Sequence, residues 1–311
     1  MEAAMRFSVL GPLEVSSDDG IPLRLGGLRQ RVVLATLLIN ANHLVAVPHL
    51  VEAVWCEKPP PSAAVNIRGY ISALRRLLRD GENDEGHVQP RLATLTGGYL
   101  LRAGTSELDF SLFMNRLRQG EREIAAGQVE KAAQSLQSAL DLWRGNPLEG
   151  LPVPLTVHAE LERMTELRLL TVERAAQARL DLGQADALVP ELSTLTRQHP
   201  FRERLWELLI VALHRTGRQA DALAAYARVR RMLVEELGID PSDRLKRLEQ
   251  QILRGNPSLD TLATAANPPV VSGPPQWHAS HRTVRRVRVP SGAPGCPDWA
   301  CGPELLERCR P

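Results

Sequence analysis

With 311 residues, 43% of them hydrophobic and 24% charged, the chain has the composition of a soluble globular protein of about two domains, which excludes a miniprotein and a chain disordered throughout. The 38 basic and 36 acidic side chains leave a formal charge of +2, so the overall balance does not itself point to nucleic acid. No apolar run approaches the roughly 20 residues of a membrane-spanning helix, and the opening MEAAMRFSVLG lacks a basic region followed by a long apolar core. These features predict a cytoplasmic protein with no membrane partner. Cys56, Cys296, Cys301 and Cys309 form no disulfide framework for a chain of this size, and reduced thiols are expected.

Along the chain, Phe7, Val9 and Val15 lie in a short apolar run broken by Gly11-Pro12. Ser17-Asp18-Asp19-Gly20 is a turn cluster, and Ile21, Leu23 and Leu25 alternate with Pro22 and Arg24, so small strands are expected. After Gly26-Gly27 the apolar positions Leu28, Val32, Ala35, Leu38 and Ile39 recur at helical spacing. A short second helix covers His49 to Trp55. Lys58-Pro-Pro-Pro-Ser62 then breaks the chain, with Ser62 as the N-cap of a third helix running to about Arg79. Leu92, Thr94 and Thr96 alternate with Arg91, Ala93 and Leu95 before Gly97-Gly98 turns the chain into Tyr99-Leu100-Leu101, which reads as a hairpin.

From Leu108 to about Leu253 the pattern is helical almost throughout, with breaks at Gly127, Gly145 to Pro154, Gly183, Pro200 and Gly217. Leu182-Gly-Gln-Ala-Asp-Ala-Leu188 and Gly217-Arg-Gln-Ala-Asp-Ala-Leu223 repeat at the tetratricopeptide period, and Gly127 with Ala132-Ala133 marks an earlier unit; an unrelated helical bundle is the alternative. Residues 256–311 are Pro-rich with an arginine cluster at 282–288, and disorder is expected there. The spacing of the three tail cysteines matches no common zinc pattern, so no metal and no cofactor are expected.

The third helix carries the chemistry. Residues 62–79 contain Arg68, Arg75, Arg76 and Arg79 and no acid, whereas Asp80, Glu82, Asp84 and Glu85 follow at once. With Ile67 placed at zero on a helical wheel, Ile71, Leu74 and Leu78 fall within about 40° of it and form the core stripe. Ser62, Asn66, Gly69, Ser72, Ala73, Arg76 and Arg79 fall on the other side, flanked by Arg68 and Arg75 at about 100° and 80°. A helix with a small, polar and basic face fits the major groove: Asn66 offers its amide to adenine, arginines fork onto guanine or phosphate, and Ser62 and Ser72 suit phosphate oxygens. Such a face also arises on a helix whose arginines only keep it soluble. Three helices followed by a hairpin make a winged helix, which puts Arg91 and Thr96 on the wing and Arg29 and Arg31 at the DNA backbone.

Leu25-Gly-Gly-Leu-Arg-Gln-Arg31, Val54-Trp55, Pro60-Pro-Ser-Ala63, Tyr70-Ile-Ser-Ala-Leu-Arg-Arg-Leu77 and Gly98-Tyr-Leu-Leu101 resemble the Streptomyces antibiotic regulatory protein family. Leu108-Asp-Phe110, Ala139-Leu-Asp-Leu-Trp-Arg-Gly145 and Glu236-Leu-Gly-Ile-Asp-Pro241 resemble that family's bacterial transcriptional activation domain. The resemblance covers about residues 5–255. It implies a mainly α protein: an OmpR-type winged helix-turn-helix with small β-sheets and a wing hairpin over 1–105, then an all-α tetratricopeptide-like activation domain over 106–255, with 256–311 as the tail. It also implies a transcriptional activator that binds direct repeats in double-stranded promoter DNA, often as a homodimer, and recruits RNA polymerase holoenzyme to a secondary-metabolite gene cluster.

Enzyme signatures are missing: the sequence contains no P-loop, no Gly-x-Gly-x-x-Gly, no His-Glu-x-x-His and no Gly-x-Ser-x-Gly, and its eight histidines are scattered. A regulator rather than an enzyme is expected. The rival reading is a protein-interaction adaptor that uses the helical repeats and has no specific DNA affinity, and a third is a small-molecule sensor gating the winged helix.

Overall fold

The structure, a computed structural model, describes residues 5–17, 19–56, 58–78 and 90–255. The expected tail, its cysteines and arginines, and Arg79 lie outside the described residues. Contacts divide the chain into two compact units, one of residues 5–114 with 141–167 and one of residues 115–140 with 168–255.

The first unit opens with an antiparallel pair, β1 (Arg6–Ser8) and β2 (Glu14–Ser16), registered Phe7 against Val15. The alternating Ile21-Leu25 stretch stays irregular and hangs onto this pair through the Leu23 amide, which donates to the Val15 carbonyl at 2.8 Å. α1 (Leu28–Ile39) is buried on every side from Val32 to Leu38. A short strand that periodicity does not reveal, β3 (Leu44–Ala46), leads directly into α2 (Val47–Trp55). α3 (Ala63–Leu77) follows, then β4 (Leu92–Leu95) and β5 (Gly98–Leu101), and the sheet order is β3-β5-β4.

α3 starts where expected, with Ser62 at the N-cap, although the Ser62 side chain makes no capping bond to the helix backbone. Ile67, Ile71, Leu74 and Leu78 are all buried, with a relative exposure of 3% at most. At about 1.5–3 kcal/mol for each fully buried aliphatic side chain, this stripe fixes which face of α3 is left outward. The two wing glycines serve different needs. Gly97, in the two-residue turn between Leu95 and Gly98, has φ +86°, a conformation that L side chains rarely adopt. Gly98 lies so close to β3 that an added Cβ would stand 2.2 Å from the Val45 carbonyl oxygen. The expected in-out alternation of β4 does not hold: Leu92 and Ala93 are both buried, and Thr94 and Leu95 both stand in solvent.

The same unit closes around its own N-terminal segment. The buried Asp109 carboxylate accepts the amides of Val9 and Leu10 at 2.9 and 3.0 Å. The amides of Arg144 and Leu148 donate to the Leu10 and Val9 carbonyls at 2.8 and 3.0 Å. The Trp143 ring meets Phe113 edge-on at 5.4 Å.

The second unit is helical throughout its described residues. After Gly127, Gly183 and Gly217 come α5 (Val129–Leu140), α7 (Ala185–Gln198) and α9 (Gln219–Met232); before them come the later parts, from residues 115 and 168, of α4 (Asp109–Ala125) and α6 (Leu155–Asp181), and the whole of α8 (Glu203–Arg215). Each glycine has φ between +70° and +76°, and each turn makes the same pair of bonds. The glycine amide reaches back three residues and the next amide five, as in Gly183 to Leu180 and Gln184 to Arg179. Three copies of one helix stop, with Ala132, Leu188 and Ala222 buried at the same position five residues beyond each glycine, are the structural content of the sequence repeat. A π-helical turn (Leu233–Leu237) and α10 (Asp243–Leu253) complete the unit. No helix among the described residues is long and apolar enough to cross a membrane.

Candidate nucleic-acid interface

The candidate interface is built on α3 because its neighbours hold it firmly by one side. Trp55 at the end of α2 stacks on Tyr70 of α3, with ring centroids 6.4 Å apart, and the Arg29 guanidinium sits 5.7 Å above the Trp55 ring. Arg29 is therefore half-buried against α2, and Arg31, two residues on, is half-buried as well.

The opposite side of α3 is open. Ser62, Val65, Arg68, Gly69, Ser72 and Arg76 are exposed, and Asn66 is half-buried with its amide donating to the Ser62 hydroxyl at 3.3 Å. Arg68 and Arg76 make no hydrogen bond or ion pair among the described residues, and no acidic residue lies on this helix. Two exposed guanidiniums without partners among the described residues, on a helix that carries no acid, attract polyanions, because such an Arg offers phosphate or a guanine edge a forked set of donors.

Two other arginines expected at the DNA are placed differently. Arg75 donates through Nε to the Leu92 carbonyl at 2.9 Å and through Nη2 to the Thr94 hydroxyl at 2.7 Å, which ties α3 to β4. Its wheel position, about 80° from the core stripe, carries that signal, since a residue so near the apolar edge faces the neighbouring element. Arg91 forms a two-pronged pair with Glu107 at 2.8 and 2.9 Å and lies 5.8 Å over the Phe7 ring. Burial pushes the Glu107 carboxyl up, but hydrogen bonds from Arg91 and Gly104 and the Arg91 charge outweigh it and hold the group below its ordinary value. Nothing in the spacing of Arg91 and Glu107 announces this pairing. Thr96 is exposed at the wing tip beside Leu95, which is 42% exposed.

The structure thus gathers Ser62, Asn66, Arg68, Ser72 and Arg76 on one surface of α3. It places Thr96 on the wing, and it sets Arg29, Arg75 and Arg91 into contacts that position the elements. Sequence reasoning passed over Val65, a branched apolar side chain 63% exposed in the middle of the open face. No group of three or more His, Cys, Asp or Glu that could hold a metal ion occurs among the described residues.

Comparison with known proteins follows this geometry. The family model described as bacterial transcriptional activator domain matches residues 108–253. The chain is 36% identical over 258 residues to the regulatory protein DnrI of Streptomyces peucetius, covering 82% of this chain and 94% of DnrI. It is 40% identical over 264 residues to the regulatory protein AfsR of Streptomyces coelicolor, covering 84% of this chain but only 25% of AfsR. Among solved structures it matches Mycobacterium tuberculosis EmbR in complex with a low-affinity phosphopeptide, with a TM-score of 0.76 and 39% identity, over 82% of this chain and 66% of that one.

Proposed function

The chain belongs to the Streptomyces antibiotic regulatory protein family of transcriptional regulators, and from that premise we propose that it activates promoters by laying α3 in the major groove of double-stranded DNA. It is a regulator and not an enzyme. In this reading Ser62, Asn66, Arg68, Ser72 and Arg76 face the groove, and Arg79, which lies outside the described residues, is a further DNA contact expected from the sequence alone. The wing carries Thr96 to the neighbouring backbone, while Arg75 and Arg91 hold helix and wing in place. Arg29 and Arg31 lie at the start of α1 beside the flanking phosphates. The helical repeats then recruit RNA polymerase holoenzyme to a secondary-metabolite gene cluster, and two copies of the chain occupy direct repeats.

The observation that supports the reading is the pair Arg68 and Arg76, exposed and without partners among the described residues, on a helix whose Ile67, Ile71 and Leu74 are buried on the opposite side. The test is the affinity of the full chain for promoter duplexes from its own gene neighbourhood across a salt series. Each phosphate neutralised contributes about 0.9 to the slope of log K against log salt. Binding that weakens steadily with salt and prefers particular fragments supports the proposal. No retardation of any fragment at low salt overturns it and leaves the adaptor reading.

A further inference from the structure

The open face of α3 is not uniformly polar. With Ile67 at zero on the helical wheel, Val65 falls at about 160° and Gly69 at about 200°, so the two straddle the line opposite the core, followed by Ser72 at about 140° and Arg76 at about 180°. The mid-line of the face therefore has an apolar, low-relief N-terminal half and a cationic C-terminal half.

Val65 has no internal reason to be there. It is 63% exposed, whereas Ile67 and Ile71 on the same helix are at 0% and 1%. A Cβ added at Gly69 would meet nothing within 4 Å, so no neighbour among the described residues requires a glycine. Its φ is also not in the left-handed region. Glycine in a helix interior costs about 1 kcal/mol relative to alanine, and a β-branched residue is a poor choice for a solvated helix surface. Both choices run against the stability of α3 and both fall on the face turned outward.

We propose that Val65, with the clearance left by Gly69, reads a pyrimidine C5-methyl group in the major groove. This deepens the proposed function and rests on α3 entering that groove. Charge complementarity identifies the occupant as duplex DNA, since Arg68 and Arg76 flank and follow the apolar spot with no acid on the helix. In the major groove, the group that an isopropyl side chain can recognise on a base edge is the thymine methyl, and 5-methylcytosine presents the same group. Val65 contributes specificity, while Arg68 and Arg76 contribute the charge that holds the duplex. Burial of one methyl group corresponds to about a four-fold change in affinity.

The test uses the full chain and duplexes that it enriches from a random library. Thymines in the enriched site are replaced one at a time by uracil, and each duplex is titrated against the unaltered chain and against Val65→Ala. The expected result is a loss of about four-fold at one or two positions with the unaltered chain and no further loss at those positions with Val65→Ala. At the same positions, a 5-methylcytosine pair is bound more tightly than an unmethylated cytosine pair. In a second variant, Gly69→Ala raises the melting temperature yet lowers affinity for the enriched duplex. A flat uracil scan, or uracil losses of equal size in Val65→Ala, overturns the inference while leaving groove binding intact. Failure to enrich any duplex overturns both.

Discussion

Arg75 and Thr94 are joined by a 2.7 Å hydrogen bond from Nη2 to the hydroxyl, so one guanidinium near the end of α3 sets the position of the wing strand β4. A second bond, from Nε to the Leu92 carbonyl, makes the link two-pronged. Replacing Arg75 by Lys keeps the charge but loses this planar fork. Arg75→Lys and Arg75→Ala are therefore expected to lower DNA affinity by similar factors with little change in the salt slope. A titration in which Lys restores full affinity would assign Arg75 to a phosphate instead.

Arg76 is expected to behave in the opposite way, because its guanidinium is exposed and meets no partner among the described residues. If it reads a base, Arg76→Ala costs about 1–3 kcal/mol on the preferred duplex and relaxes the preference at one position. If it holds a phosphate, the loss is uniform across sequences and the salt slope falls by about one. Thermal unfolding of Arg76→Ala should match the unaltered chain in either case.

Gly98→Ala tests how the wing is packed. The new Cβ would fall 2.2 Å from the Val45 carbonyl oxygen, an atom of rigid backbone in the paired strand β3. Either the strands part or the turn shifts, and overpacking of this kind costs about 1–3 kcal/mol. Urea unfolding should show the destabilisation, whereas the same substitution at the unencumbered Gly69 should not.

Asp109 is a buried carboxylate that organises the N-terminal segment, and burial raises its pKa against the opposing pull of the Val9 and Leu10 amides and the Arg144 charge. Asp109→Ala strands those amides in the interior, at about 1–3 kcal/mol for each donor left without a partner. Asp109→Asn keeps one acceptor oxygen and should cost less. Equilibrium unfolding of the two variants checks that order.

Glu107 has the opposite sign of shift, so its contribution to stability has the opposite pH dependence from that of Asp109. Its folded pKa lies below the ordinary value of 4.5, so its pairing with Arg91 stabilises the fold above that pH. That contribution is lost as the pH falls through the lower folded value. Glu107→Gln should therefore be less stable than the unaltered chain at neutral pH, with the gap closing under acid conditions; a gap independent of pH would mean that the ion pair adds no net stability.

The elements legible in the sequence are those whose cause is local. Apolar residues at helical spacing locate α1 and the core stripe of α3, and the Gly-Gln/Arg turns locate all three repeated helix stops. The third strand of the wing sheet was not legible, because Leu44-Val45-Ala46 is too short to show a period and owes its conformation to β5. Asp109 and Arg144 were visible only as letters of motifs, since their partners at Val9, Leu10 and Glu14 lie about a hundred residues or more away in the chain. At the interface, the exposed side of α3 followed from the wheel. The engagement of Arg91 with Glu107 did not, because a residue just before β4 and a turn carboxylate 16 residues on meet only through tertiary folding.

The central claim, that the outward face of α3 enters the major groove, is tested most directly by affinity cleavage from Ser72, an exposed residue on that face. A hydroxyl-radical-generating iron chelate is attached to Ser72→Cys, and background from the native cysteines is subtracted using the unsubstituted chain carrying the same reagent. The account predicts strand cuts clustered across the major groove of each bound repeat. Bound complexes that show no cuts above background, or cuts centred in a minor groove, would contradict it.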